Sequence, residues 1–351
     1  MTQIDSGQHA PGVGACAVKK KFGLVLQGGA ALGAYEVGAI QYLYDIGMQC
    51  AIVSGASSGA MNAVTLAGAK GYPPAVLRAL WDELIVEPPF PFVPPLVKPV
   101  WAALGVPHMY VPRWDYWNAL SWTYFCDTAP LRRTLVELLD WDRIRDPEHM
   151  RLIVSASAVE TGETSYFTNF GTESFGVDHV LASGSIPPGF GWTTIDGKAY
   201  WDGGLTDNTP LKPVIAALRG DEPETMPIFT VDVFSSEAPL PANMFEVVLR
   251  MFELLLQNKL RADSETAHRY ARFIGILKQV NEQLPADAPV RASADWAAVM
   301  NYALLREIRT IDIVKPPLDN MADFSRKTLA RRIAAGYEAA KRSLEEHPLS
   351  V

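Results

Sequence analysis

Two short apolar runs, each leading through a glycine-containing turn into a helical stretch, open this sequence and constrain its fold more than any other feature. Phe22-Gly23-Leu24-Val25-Leu26 reads as a buried strand, followed by the turn Gln27-Gly28-Gly29-Ala30-Ala31-Leu32-Gly33 and a helix to about Ile46. Cys50–Ser54 is a second strand and Ser57–Lys70 a second helix. This β-loop-α-β-loop-α opening predicts an α/β fold with a mostly parallel sheet flanked by helices. Further strands are expected at Leu152-Ile153-Val154 and Ile228-Phe229-Thr230-Val231-Asp232-Val233. Between them, 195–201 reads as a hairpin, because Asp196-Gly197 suits a type I′ turn.

The second turn contains Gly55-Ala56-Ser57-Ser58-Gly59, a G-x-S-x-G pattern. There a serine occupies a strained strand-to-helix turn, and Gly55 and Gly59 lack the Cβ atoms that would collide as the chain reverses. Alone, the pattern also fits a Gly/Ser loop. A nucleophilic serine needs a base, and Asp202 in Trp201-Asp202-Gly203-Gly204 enters a tight turn just after the hairpin strand. Taken alone, that segment reads better as an ordinary Asp-Gly turn, as Asp196-Gly197 does. The first turn, from Gly28 through Gly33, has N–H groups able to converge on an anion. A dinucleotide site fits it poorly: Ala30 breaks G-x-G-x-x-G, and 48–55 hold no acidic ribose anchor.

The chain has 351 residues, 48% of them hydrophobic, a formal charge of −8 and a pI near 5.3. That size allows one large α/β domain or two smaller ones. The negative charge argues against a nucleic-acid partner and against general attraction to anionic lipid, so any membrane contact must be apolar and local. Cys16, Cys50 and Cys126 form neither a disulfide framework nor a C-x-x-C metal site, which suits a reducing, cytoplasmic compartment. Residues 1–20 read as a flexible leader without the apolar core of a secretory signal. No window reaches the roughly 18 apolar residues of a transmembrane helix.

Composition changes between Pro88 and Cys126, where eight prolines and ten aromatic residues fall together. Long loops of this kind are often functional lids. Trp101, Trp114, Trp117 and Trp122 suit either a membrane interface or a packed subdomain or dimer contact. Residues 21–235 are expected to form the catalytic domain and 236–351 a mostly helical C-terminal region packed on it. In that region Met244–Leu260, Glu265–Leu284 and Phe324–Leu344 read as helices. Met244–Leu256 is apolar on nearly all sides, which predicts burial in a core or a subunit interface.

The three turns together resemble those of the patatin-like phospholipase family, in its bacterial branch. The order matches: a glycine-rich loop, then G-x-S-x-G, then D-G-G well downstream. Asp127-Thr128-Ala129-Pro130-Leu131, the 182–190 stretch Ala-Ser-Gly-Ser-Ile-Pro-Pro-Gly-Phe and Asn208-Thr209-Pro210 match as well. The similarity spans roughly 22–235, and the 324–340 helix is also familiar. It implies a three-layer fold and a Ser-Asp dyad, with Ser57 as nucleophile, Asp202 as base, oxyanion amides from Gly28, Gly29 and Ala30, and no metal or cofactor. Gly33, Gly55, Gly59, Gly203 and Gly204 would support the turns. The expected substrate is a lipid or other acyl ester, with transient contact at the inner membrane surface and a homo-oligomer left open.

Many relatives carry glycine at the position of Ala30 and arginine at that of Leu32. Ala30 is tolerable only at negative φ, and Leu32 removes a charge that would orient an anionic head group. An unperturbed aspartate titrates near 3.9, so Asp202 must gain basicity from partial burial. A His-dependent esterase or acyltransferase and an inactive lipid-binding protein are the rivals. His268, the main candidate for a triad, reads as a solvated helix residue, and His179 as packed in the first turn of a short helix.

Overall fold

The computed structural model describes residues 20–87, 101–102, 104–234, 240–241, 243–305, 307–312, 320–346 and 348–349, without the side chains of 245, 257–275 and 312. The proposed leader, apart from residue 20, and positions 88–100 and 103 of the aromatic insertion lie outside the described residues.

One eight-stranded sheet organises the chain. Its strands are β1 (Lys21–Leu26), β2 (Gln49–Gly55), β5 (Arg151–Ala158), β6 (Thr164–Thr168), β7 (Thr193–Ile195), β8 (Lys198–Asp202), β9 (Ile228–Asp232) and β10 (Ile308–Asp312). The order is β10-β9-β1-β2-β5-β8-β7, with β6 also paired to β5; β3 (Val111–Pro112) and β4 (Cys126–Asp127) form a separate two-stranded ribbon. β10, β9, β1, β2 and β5 are mutually parallel, whereas β6 and β8 run antiparallel to β5 and β7 antiparallel to β8.

Successive strand side chains go to opposite faces of the sheet, and both faces are covered. Leu24, Leu26, Val53, Val154, Phe229 and Val231 belong to the larger core, which is closed by α1 (Ala34–Asp45), α2 (Ser58–Ala67) and the C-terminal helix Arg326–Glu346. Val25, Ile52, Ile153 and Ile228 face the other way, against Val214, Ile215, Leu218 and Met226. These are the three layers expected.

Two departures concern the C-terminal region. It supplies the sheet's edge strand β10 as well as helices, and 244–283 forms one continuous helix rather than two. Of the two alternatives expected for Met244–Leu256, burial in this chain's own core does not hold: Met244, Val247, Met251 and Leu255 are exposed, while Glu253 and Leu256 are buried. Only a narrow face of that helix meets the core. The Asp196-Gly197 turn is as expected, both residues having positive φ (48° and 78°).

Candidate active site

The sheet register brings the serine and the aspartate together. β2 covers the first half of one edge of β5, with Gly55 opposite Val154. β8 covers the second half of that edge from the other direction, with Asp202 opposite Ala156, while β6 occupies the far edge. The ends of β2 and β8 thus meet head-on at Ser155, two residues apart along β5, or roughly 7 Å at strand spacing. Gly203 presses on Ser155, leaving no space there for a Cβ.

Ser57 lies just past the end of β2, at φ 51° and ψ −121°, and is the one residue of 52–60 that is not buried. A non-glycine residue at such a φ is strained by about 1–3 kcal/mol and persists only where its surroundings hold it. Here the Ser57 N–H donates to Ser183 Oγ at 2.9 Å. Gly55 and Gly59 let β2 cross the start of α2: a Cβ on Gly59 would stand 2.6 Å from the Leu26 carbonyl oxygen.

Asp202 is only 2% exposed, and its Oδ1 accepts the Gly204 N–H at 2.7 Å. Its N–H donates to the Ser185 carbonyl at 3.0 Å, and its own carbonyl accepts from Ser157 Oγ at 2.7 Å. Burial pushes its carboxyl up to about 7, against the opposing effect of hydrogen bonds from the Ser57 hydroxyl and the Gly204 amide. Burial thus outweighs both donors and keeps this carboxyl well above the ordinary carboxylate range.

The glycine-rich loop 28–33 reaches the same place. A Cβ on Gly28 would lie 2.9 Å from Ser57 Cβ. The Gly28 N–H, however, is bonded to Asn208 Oδ1 at 3.1 Å, and the Gly29 N–H to Ser58 Oγ at 3.0 Å. For the Ala30 amide no such bond is found among the described residues, and Ala30 lines the cavity beside Ser57. Its φ is +49°, so the negative φ expected of an alanine is corrected: this loop needs the left-handed conformation, and Ala30 bears the strain. Leu32 is wholly buried in the core.

The cavity is small, about 60 Å³, and mostly apolar, with Met61, Met109, Leu131, Val180, Leu181, Ile186 and Phe190 around Ser57. Phe190 also forms a bridge with Cys126, which ties the aromatic insertion to this wall. Beyond the bridge, Trp114, Tyr116, Trp117 and Leu120 are exposed, Trp117 by 88%.

Several supporting residues were invisible as such in the sequence. Ser183 and Ser185, within a stretch that matched the family, hold Ser57 and Asp202 respectively. Glu36 is buried beside the glycine-rich loop, where it accepts from the Gln27 N–H at 2.7 Å and from Asn62 Nδ2 at 2.8 Å, and burial raises its carboxyl to about 8. Arg332, on the C-terminal helix, donates to the Ala31 carbonyl at 3.0 Å. Neither Glu36 nor Arg332 carries a local signal, since a lone charge in a helix reads as solvated surface. His179 packs between Phe167 and Phe175, accepts the Gly176 N–H at 2.9 Å, and is held below its ordinary pKa by burial. The side chain of His268 lies outside the described residues. Among the described residues there is no cluster able to hold a metal, and no helix is long and apolar enough to cross a membrane.

The family model for patatin-like phospholipases matches residues 24–215, more than half of the chain. The protein belongs to the patatin-like phospholipase family, which supports a lipid hydrolase function. Among solved structures, the chain is similar to VipD from Legionella pneumophila, with 16% identity over 93% of this chain and 67% of that one and a TM-score of 0.43. It is also similar to the heterodimeric ExoU-SpcU complex from the type III secretion system of Pseudomonas aeruginosa, with 16% identity, 92% and 74% coverage and a TM-score of 0.35. No curated protein matches the chain.

Proposed function

We propose that this protein hydrolyses carboxylic esters of lipids through an acyl-serine intermediate, with Ser57 as nucleophile and Asp202 as the proton carrier. The observation behind this reading is the convergence of a serine at a strained φ and a carboxyl only 2% exposed, carried on two strand ends that meet along β5, with burial pushing that carboxyl up to about 7. A carboxylate so placed is basic enough to accept the serine proton. Ser57 Oγ then attacks the ester carbonyl, and negative charge moves onto the carbonyl oxygen beside the loop amides. Removing one oxyanion donor commonly costs about 2.7–4 kcal/mol of transition-state stabilisation. Collapse expels the alcohol, which takes the proton from Asp202. Water then gives a proton to Asp202 as it attacks the acyl-serine, and collapse breaks the acyl–Oγ bond, releasing the acid while Asp202 returns the proton to Ser57 Oγ.

The apolar cavity suits the first carbons of an acyl chain, and the exposed aromatic rim suits the surface of a lipid aggregate. No metal or cofactor enters this scheme. An ester fits better than an amide, whose leaving nitrogen demands stronger protonation.

The test is a panel of synthetic esters of graded chain length, beside phospholipids and lysophospholipids, run with wild type, Ser57→Ala and Asp202→Ala. Wild type should favour long chains, and both variants should be folded yet slower by about 10⁴-fold or more. A fluorophosphonate probe should label wild type but not Ser57→Ala. Turnover retained in either variant rejects the assignment.

A further inference from the structure

Asn208 is 1% exposed and engages three separate segments. Its amide pairs with both polar groups of Gly28: Oδ1 accepts the Gly28 N–H at 3.1 Å, and Nδ2 donates to the Gly28 carbonyl at 3.0 Å. The second Nδ2 proton goes to the Leu256 carbonyl of the long C-terminal helix, at 3.3 Å. The same Oδ1 lies against the turn that carries the base, where a Cβ on Gly204 would approach it to 2.7 Å. At Gly28 the corresponding approach is 2.5 Å. Both glycines are thus required by one side chain wedged between the oxyanion loop and the Asp202 turn.

From this we infer that Asn208 is a positioning residue that sets the separation between the oxyanion loop and Asp202, and leaves the Ala30 amide to meet the developing charge. The inference rests on the Ser57–Asp202 reading given above. An amide is suited to the task because it donates and accepts in one plane, so it fixes both the height and the tilt of the Gly28 peptide. While Asn208 Oδ1 holds the Gly28 N–H, that donor is turned away from substrate. A loop displaced by about 1 Å can lose about 100-fold in rate without any loss of substrate affinity.

The experiment compares wild type with Asn208→Ala and Asn208→Asp. It measures backbone amide exchange by NMR, labelling of Ser57 by a fluorophosphonate across pH, and kcat and KM on a long-chain ester. In Asn208→Ala, Gly28 should exchange at least about tenfold faster while Gly29, held by Ser58, is unchanged. Labelling and kcat should fall by about 10–100-fold with KM within about twofold. Asn208→Asp keeps the acceptor for the Gly28 N–H but puts a second carboxylate beside the Asp202 turn. Its labelling midpoint should therefore move to higher pH, which reports that position 208 lies beside the Asp202 turn, while the fall in kcat at unchanged KM in Asn208→Ala is the readout that a merely structural role would not produce.

Unchanged Gly28 exchange in both variants, or faster exchange with labelling rate, kcat and pH midpoint as in wild type, overturns the inference. Should wild-type Ser57 resist the probe altogether, the hydrolase reading fails by itself. The Gly28 exchange rates then still decide whether Asn208 holds the loop. If Asn208→Ala does not fold, Asn208→Asp carries the comparison alone.

Discussion

Ser57 and Ala30 face each other across one cavity with nearly the same positive φ, 51° and 49°, yet the strain does different work at the two positions. In the proposed mechanism a side chain is indispensable at Ser57, so glycine cannot relieve the turn, and the burden passes to neighbours. Gly55 and Gly59 provide the space, and Ser183 holds the amide. At Ala30 the proposed mechanism uses the backbone alone, and the methyl group adds strain without any reacting atom. On that reading the serine side of the site works through side chains on a strained frame, and the amide side through backbone alone. Strain is therefore required on one side and removable on the other.

The largest effect expected on stability is at the carboxyl facing Ser57. Asp202 has its folded pKa raised from 3.8 to about 7 by burial, so the folded state favours the protonated form. Its contribution is intact below about pH 4 and is lost as pH rises through 7, to a total of about 4 kcal/mol. Asp202→Asn should remove that cost. Denaturant titrations should show the variant gaining on wild type between about pH 4 and 7, then holding a constant advantage, while it loses turnover. An advantage independent of pH would mean that the carboxyl is not buried as described. In wild type the same titration should appear as a rise in kcat/KM with pH, with a midpoint near 7.

Gly59 tests the serine frame itself. A methyl group there would meet the Leu26 carbonyl at 2.6 Å, so α2 or β1 must shift. Gly59→Ala should lose about 3 kcal/mol or more and should slow labelling of Ser57 even where the protein remains folded. Wild-type stability in that variant would show that the turn is looser than its contacts imply.

The smallest effect belongs to the amide side. Ala30→Gly relieves about 1–2 kcal/mol of backbone strain but gives back about 0.4–1 kcal/mol through the freer unfolded chain. A rise in melting temperature of no more than about 2 °C is expected, with turnover nearly unchanged. A large loss of activity would break the comparison, because the alanine methyl would then have a task of its own.

Much of this was legible before any coordinates. β1, β2 and their helices begin and end within about three residues of the expected bounds, because apolar runs and glycine turns act locally. The Asp196-Gly197 hairpin was legible for the same reason: two positive-φ positions in succession leave few other conformations. β6 and β10 were not. Thr164–Thr168 and Ile308–Asp312 are short and partly polar, and each becomes a strand by pairing with a sheet edge already present. At Met244–Leu256 the apolar pattern left core and subunit interface open, because apolarity reports what a surface prefers and not whether the rest of the chain covers it.

What the amino-acid sequence determined by itself is each turn and the residue at its tip: a serine, an aspartate and a run of small residues, each forced by contacts within a few positions. What only tertiary structure decided is their meeting. Residues 57 and 202 converge because a parallel and an antiparallel strand share one edge of β5 and end against the same residue. The neutral-range carboxyl, the bond from Asn208 to Gly28 and the reach of Arg332 to Ala31 follow from that packing. Burial and long-range pairing depend on the whole chain, and no local window contains them.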